Sequence, residues 1–437
     1  MQSLHDAAMR GRGFVWLALG ALAAAGCAER SSEPADAEPA APAPQAASSA
    51  VAFEGARVIV GDGTVIEQAV LVVDGGRIEA VGRAGEVSVP AGAARVDLAG
   101  MTVMPAIVDT HTHLSRERDA LIEDLRSRAR FGVGAALSLG QDDGDELYRV
   151  RDETIPGAAR YRLAGRGITS PEPGRSEIPY WITTPEEGRA AVRELAERRV
   201  DIVKIWVDDR NGQYQKLGPE LYGAVIDEAH AHGLRVTAHI FALEDAKGLL
   251  RAGVDAFAHG VRDRDVDDEL VALLEERPDF VLVPNLPDRG VPTDLSWLEG
   301  KVPAERLAEL QAAASTERPE AQAAFAIQAR NLARLAREGV TIALGTDGNT
   351  PWGPHLEMAD MVAAGLTPEQ VIVAATRNGA ELVGIDDMGT LEPGKSADFI
   401  VLEANPLEDI TNTRRIAAVY LRGERVGDAQ GSVAAVR

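Results

Sequence analysis

The sequence predicts an α/β fold: a (β/α)8 TIM barrel with a small β-sandwich-like domain built from both chain ends. Three observations carry that reading. Between residues 104 and 387, short apolar runs alternate with amphipathic helical stretches, as expected of a parallel sheet covered by helices. Eight such runs fall within about 280 residues, the strand count and span of a barrel. The two ends, 51–103 and 388–437, lack the helical period and read as β.

Taken in order, residues 1–26 form an export signal. Arg10 and Arg12 precede the 12-residue apolar stretch FVWLALGALAAA, too short to span a bilayer as a helix. A start at Met9 gives a tidier leader than one at Met1. Cys27 is the sole cysteine of the chain, so no intramolecular disulfide can form. It directly follows Ala-Gly, which resembles the lipobox of bacterial lipoproteins, with Ala24 where Leu is commoner. Residues 27–50 are rich in Ala, Pro, Ser and Glu and read as a flexible tether. The expected location is exported, periplasmic or at the cell surface, held to the membrane only by a lipid on Cys27.

From Val51 to Val103, the β-branched runs ARVIV, AVLVV and RIEAV are separated by Gly-Asp-Gly and Asp-Gly-Gly turn signals. The barrel strands are then AIVDTH, GAALSL, RYRLAG, IVKIW, RVTAH, AFAHG, FVLVPN and TIALGTD. Helices are expected over 184–199, 219–232 and 243–252, with two more in the Ala-rich stretch 302–338. After Asp386 the β pattern returns with DFIVL and AAVYL. The sequence has no internal repeat.

The 437 residues are 45% hydrophobic and 26% charged, which is globular composition. A formal net charge of -23 argues against a nucleic-acid partner, since phosphate binding needs clustered Lys and Arg. A small-molecule substrate is the partner expected; a homo-oligomer stays open.

Six polar residues end these apolar runs: His111 and His113 in VDTHTHL, Lys204 in IVKIW, His239 in VTAHI, His259 in FAHG and Asp347 in LGTDG. Parallel barrel strands bring their carboxyl ends to one face, where such enzymes work. His111 and His113, two residues apart on a strand, point to the same side. A lysine ending an apolar strand is costly unless paired or modified. Imidazole and carboxylate suit zinc and similar divalent ions.

This order resembles the amidohydrolase superfamily: HxH on the first strand, Lys on the fourth, His on the fifth and sixth, Asp on the eighth. The head GARVIVGDGTVIEQAVLVVDGGRIEAVG and the tail TRNGAELVGIDDMGTLEPGKSADFIVLEANPL are similar to that family too, so the likeness covers about residues 52–426. VKIW before EAHAHGLRVTAHI and FAHG resembles the branch of Xaa-Pro dipeptidases and imidazolonepropionase relatives. The resemblance implies an N6-carboxylated Lys204 bridging two divalent ions, expected to be zinc. His111, His113 and Asp347 would hold the first, His239 and His259 the second. The pair would lower the pKa of water and polarise the substrate carbonyl, with Asp347 as catalytic proton shuttle. A single ion at His111, His113, His239 and Asp347, with Lys204 unmodified, is the alternative.

Substrate contacts are expected from Arg166 and Arg262, after the third and sixth strands, either of which could clamp a carboxylate, and from His355 after the last strand. Asn285 and Arg289 follow the seventh. His230 and His232 end a helix and read as structural. Peptidase-like relatives often carry Tyr where this chain has Phe241, which cannot donate a hydrogen bond; Ala106 replaces a common Gly. The expected activity is hydrolysis of an amide in a dipeptide or N-acyl amino acid. A cyclic-amide or ester/lactone hydrolase is the alternative enzyme, and a non-catalytic surface binding lipoprotein the alternative of another class.

Overall fold

The computed structural model describes residues 48–427. The leader, Cys27 and most of the tether lie outside the described residues. Among the described residues, five strands come first: β1 (Val51–Ile59), β2 (Val65–Asp74), β3 (Arg77–Arg83), β4 (Ala94–Asp97) and β5 (Thr102–Pro105). Three parallel strands follow, β6 (Ile107–Thr112), β7 (Val133–Ser138) and β8 (Arg160–Leu163), and pair in that order. Next come the short β9 (Ile168–Thr169) and β10 (Tyr180–Trp181), then β11 (Val203–Trp206), β12 (Val236–His239), β13 (Ala256–Ala258), β14 (Val281–Val283) and β15 (Thr341–Ile342). These seven form a second parallel sheet in the order β10-β9-β11-β12-β13-β14-β15. The chain closes with β16 (Phe399–Leu402), β17 (Ile416–Leu421) and β18 (Glu424–Arg425).

All eight expected barrel runs are strands. Backbone bonds also cross the gaps between the two parallel sheets. Thr110 N donates to Leu344 O at 2.9 Å, and Asp201 N to Leu163 O at 3.0 Å. Every residue of β6, β7, β11 and β12 is buried, as in parallel strands covered on both faces.

The covering helices follow the sequence signals. Thr184 and Glu187 form a capping box for the helix Pro185–Glu197, with Pro185 in its first turn. Its buried residues Gly188, Ala191, Val192 and Leu195 repeat at helical spacing toward the strands. The helix Leu243–Ala252 ends on Gly253 at φ 95°, a left-handed cap that favours glycine. The Ala-rich stretch holds the two helices Ala304–Ala313 and Pro319–Arg337.

Both chain ends build one mixed sheet in the order β18-β17-β16-β5-β1-β2-β3, with β4 beside β1. β16 pairs antiparallel with β5, Phe399 opposite Pro105. Phe53 from β1 packs edge-on against Phe399 and Tyr420 at 5.1 and 5.0 Å, and the latter two stack at 4.7 Å. Apolar burial of these rings fastens the carboxyl end to the amino end.

Candidate metal centre

β6 delivers two imidazoles to the carboxyl ends of the parallel strands. His111 Nε2 lies 3.2 Å and His113 Nε2 3.0 Å from Asp347 Oδ1. His259 Nε2 sits 3.5 Å from Oδ2, close but without hydrogen-bond geometry. The ligating atoms of His111, His259 and Asp347 fall within 4.8 Å of one another. His239 adjoins this group, its ring centroid 4.5 Å from that of His259. Lys204 is fully buried, and its Nζ has no hydrogen-bond partner among the described residues. Such a cluster of unspent nitrogens around a carboxylate suits a divalent ion.

The backbone is bent to aim these groups. His259, Asn285 and Asp347 all have positive φ, at 116°, 45° and 51°. They follow β13, β14 and β15. Non-glycine residues held there cost on the order of 1–3 kcal/mol each, and such positions cluster at functional sites. Neighbouring glycines make room. A Cβ at Gly345 would stand 2.8 Å from His111 Cβ, and one at Gly140 2.9 Å from Lys204 Cγ.

Further residues hold the imidazoles in place. Asn285 Oδ1 lies 2.9 Å from His111 Nδ1, which leaves Nε2 for a ligand role. Asp208 Oδ2 lies 2.9 Å from His239 Nε2, and Arg210 Nη1 reaches the same oxygen at 2.7 Å. Beneath them Asp109 is fully buried. It accepts from Thr346 N, Thr346 Oγ1 and Arg128 Nη1 at 3.1, 2.8 and 3.1 Å. Arg128 also donates to Gly348 O at 3.0 Å. This buried pair ties β6 to the turn that carries Asp347.

Burial dominates the electrostatics. It pushes the Lys204 ammonium down to about 7, with Asp347 opposing and Arg262 and Arg210 adding to the fall. His111 and His259 are lowered well below the ordinary range by burial, then by neighbouring positive groups. His239 falls to about 3 by burial, against the pull of Asp208. For Asp347, burial would raise the carboxyl, but His111, His113 and Lys204 hold it well below the usual range. Asp109 rises to about 6 through burial, with Arg128 opposing.

The remaining expected residues divide. Arg262 stands among the ligands electrostatically, attracted by Asp347 and Asp208. Phe241 follows His239 and is 38% exposed, the one exposed large hydrophobic among the described residues. Two residues expected to touch substrate have protein partners. Arg166 lays its guanidinium on the Tyr180 ring at 4.0 Å and donates to Ile178 O. His355 is buried, with its ring nitrogens 2.9 Å from Phe131 O and 3.0 Å from Thr413 Oγ1. Arg289 pairs with Asp360 at 2.8 Å, and His230 with Asp255 at 2.9 Å. Asp109, Asp208 and Arg210 were not singled out from the sequence; a buried Asp two residues before HxH was the signal available for the first.

Residues 102–426 match the model of the amidohydrolase family. The chain belongs to the amidohydrolase family. This amidohydrolase is 30% identical over 298 residues to ochratoxinase of Aspergillus niger, covering 64% of this chain but only 55% of that enzyme's length. Imidazolonepropionase of Deinococcus radiodurans is 26% identical over 406 residues, 84% of this chain and 94% of that one. The crystal structure of a proposed prolidase from Bifidobacterium longum superposes with a TM-score of 0.71 at 30% identity, over 86% of this chain and 94% of that chain.

Proposed function

We propose that this amidohydrolase hydrolyses an amide bond of a dipeptide or N-acyl amino acid at a site for two divalent ions. The observation that carries it is the convergence of His111, His113 and His259 on Asp347, beside a buried Lys204 whose Nζ has no hydrogen-bond partner among the described residues. His111, His113 and Asp347 would hold one ion and His239 and His259 the other, zinc by donor chemistry. Bound there, the ions would lower the pKa of water and polarise the scissile carbonyl.

Lys204 suits the bridge because burial leaves much of it as free amine near neutral pH. A free amine adds to CO2, forming an N–C bond and losing a proton. The carbamate is an anion where an ammonium would repel both ions. Asp347, open to solvent on one side, takes a proton from the attacking water and returns it to the leaving nitrogen. Asn285 leaves the His111 Nε2 free for an ion, and Asp208 helps orient the His239 ring.

One observation favours a second reading. The tightest group is His111, His259 and Asp347, a single ion's worth of ligands. Metal analysis of purified protein decides between them: two divalent ions per chain, with a 44 Da gain on Lys204 (about the mass of CO2), against one ion and an unmodified lysine. Hydrolysis of a dipeptide and N-acyl-amino-acid panel tests the substrate class; a chain that cleaves only lactones or cyclic amides defeats it.

The leader supports export, with a lipid on Cys27 as the membrane tether. Cys27→Ala is expected to release the protein into the soluble fraction, and a mutant that stays with membranes refutes the anchor.

A further inference from the structure

The candidate metal centre occupies the carboxyl ends of the parallel strands. A second cavity, of about 380 Å³, lies by the amino end of β8. The turn between β2 and β3 and the turn after β17 border it from the mixed sheet, and residues 150–162 from the barrel. Arg77, Arg151, Arg160, Arg162 and Arg422 line it, against the acids Asp152, Glu153 and Asp387. That excess of positive charge is local, in a chain whose formal net charge is -23. The acids are already engaged: Asp152 with Arg151 at 2.9 Å, Glu153 with Arg118 at 2.6 Å and Asp387 with Arg160 at 2.6 Å. The volume falls within the range of small-molecule sites, roughly 300–1,000 Å³.

Two of these arginines keep donors in reserve. Asp398 orients both, its Oδ2 accepting from Arg160 Nη2 and its Oδ1 from the Arg422 backbone N, each at 2.8 Å. Arg160 Nη1 goes to Asp387, and its Nε is buried without a hydrogen-bond partner. Arg422 spends Nη2 on Ile155 O and Ala158 O at 3.0 and 3.1 Å. Its Nε and Nη1 donate to no protein acceptor among the described residues. Burial disfavours the Arg422 charge, Asp398 opposes that, and the nearby Arg160 adds to it. The Arg422 backbone has φ 54°, in the left-handed region that favours glycine. An arginine kept in a strained turn, beside another arginine, lacks a counter-ion that a ligand can supply.

We propose that this cavity binds the phosphate group of a small phosphomonoester, with Arg422 and Arg160 as its cationic partners. A phosphate presents oxygens in several directions and takes guanidinium donors in pairs. That suits arginines arriving from the turn after β17 and from the start of β8, with Arg77 on the turn between β2 and β3 lining the same space. The chain leading into β1 passes the rim, where Ser49 Oγ donates to Asp74 next to Gly75. The same phosphate chemistry could therefore come from a soluble ester or from a phospholipid headgroup. Binding here is independent of the chemistry at the other end of the barrel.

The test uses the purified full chain in its metal-loaded form. Calorimetry compares glycerol 3-phosphate and short-chain dihexanoyl phosphatidic acid, with glycerol and dihexanoyl phosphatidylcholine as controls. Wild type should bind a phosphomonoester and neither control. Preference for glycerol 3-phosphate assigns a soluble ester, and preference for the phosphatidic acid a lipid headgroup. Arg422→Gln should weaken binding at least about tenfold, the range of a hydrogen bond to a charged group. Arg422→Lys should lose less, and a chelator that strips the metals should leave binding intact. Arg77→Gln alters a side chain that is 56% exposed. It should weaken binding about threefold, the scale of an exposed ion pair. No binding of either ester by wild type overturns the site. So does binding that Arg422→Gln leaves unchanged; its loss with the chelator would then place the phosphate at the metal centre. Should Arg422→Gln fail to fold, unchanged binding in Arg77→Gln overturns the site instead.

Discussion

The two sides of the candidate metal centre are built on opposite plans. On the side of the first and last strands, Asp109, Arg128, Thr346 and Asn285 brace the backbone and ring of His111, and Asp347 takes His113. His113 Nδ1, Arg128 Nε and Asn285 Nδ2 are exceptions there. On the side of the fourth to sixth strands, buried donors stand idle. Lys204 Nζ, both nitrogens of His259, Arg262 Nε and Arg210 Nη2 have no hydrogen-bond partner among the described residues. Native interiors rarely leave polar atoms bare, so a concentration of them marks where something else binds. The braced side is a frame, and the idle side is a receptor.

Asp347 is where the sides meet, Oδ1 toward His111 and His113 and Oδ2 toward His259. Asp347→Asn should cut hydrolysis by about a thousandfold, the scale of a lost proton-transfer group, with the circular dichroism unchanged. Retained activity would separate the proton shuttle from this residue.

Arg128→Met tests the frame. It leaves Asp109 buried beside no cation and should cost about 3 kcal/mol in urea unfolding at pH 8. Asp109 stands at about 6 with Arg128 holding it down, and without that cation it rises further. The loss should therefore shrink as pH falls toward 6 and the variant's carboxyl takes a proton. A loss independent of pH would show that packing, not charge, holds this side.

Asp208→Asn tests the receptor. It removes the anion that orients His239 and should weaken the second ion about 10- to 100-fold while the first stays bound, read by titration against a chelator. Equal weakening of both ions would erase the distinction between the sides.

His355→Gln tests a buried group outside the candidate site. Burial lowers His355 to about 3 from an ordinary 6.5, so the folded chain keeps it neutral while the unfolded chain protonates. Its contribution is whole above pH 6.5 and is lost as pH falls toward 3, at up to about 1.4 kcal/mol per pH unit. The Gln variant should show a flatter urea midpoint between pH 4 and 6.5; an unchanged slope would exclude His355 as the acid-sensitive group.

The frame of the fold was legible because alternation of apolar runs with helical stretches spans the whole barrel. The expected strands and the helices over 185–197, 219–231 and 243–252 were found within a few residues. β9 and β10 were not, since two residues carry no period. The ligand candidates were legible because polar residues at the ends of buried strands have few other uses. Their supports were not. Asp208 and Arg210 sit in VDDRNG, which reads as a polar turn, and only the flanking of β12 by β11 brings them to His239. For His355 the structure adds partners that the sequence did not suggest. Its position after the last strand suggested substrate, but the helix Gly353–Ala363 packs it against Phe131 and the segment Ile410–Arg414.

The pairing of β16 with β5 sets a timetable for folding. A ribosome releases β5 about 290 residues before β16 appears. During that interval β5 has neighbours on one side and an open row of amide and carbonyl groups on the other. Such an edge invites pairing with foreign strands. The barrel must therefore be completed while its companion sheet is half made, and residues 399–425 act as the clasp. Removing β16 to β18 should leave a chain that aggregates rather than a smaller enzyme.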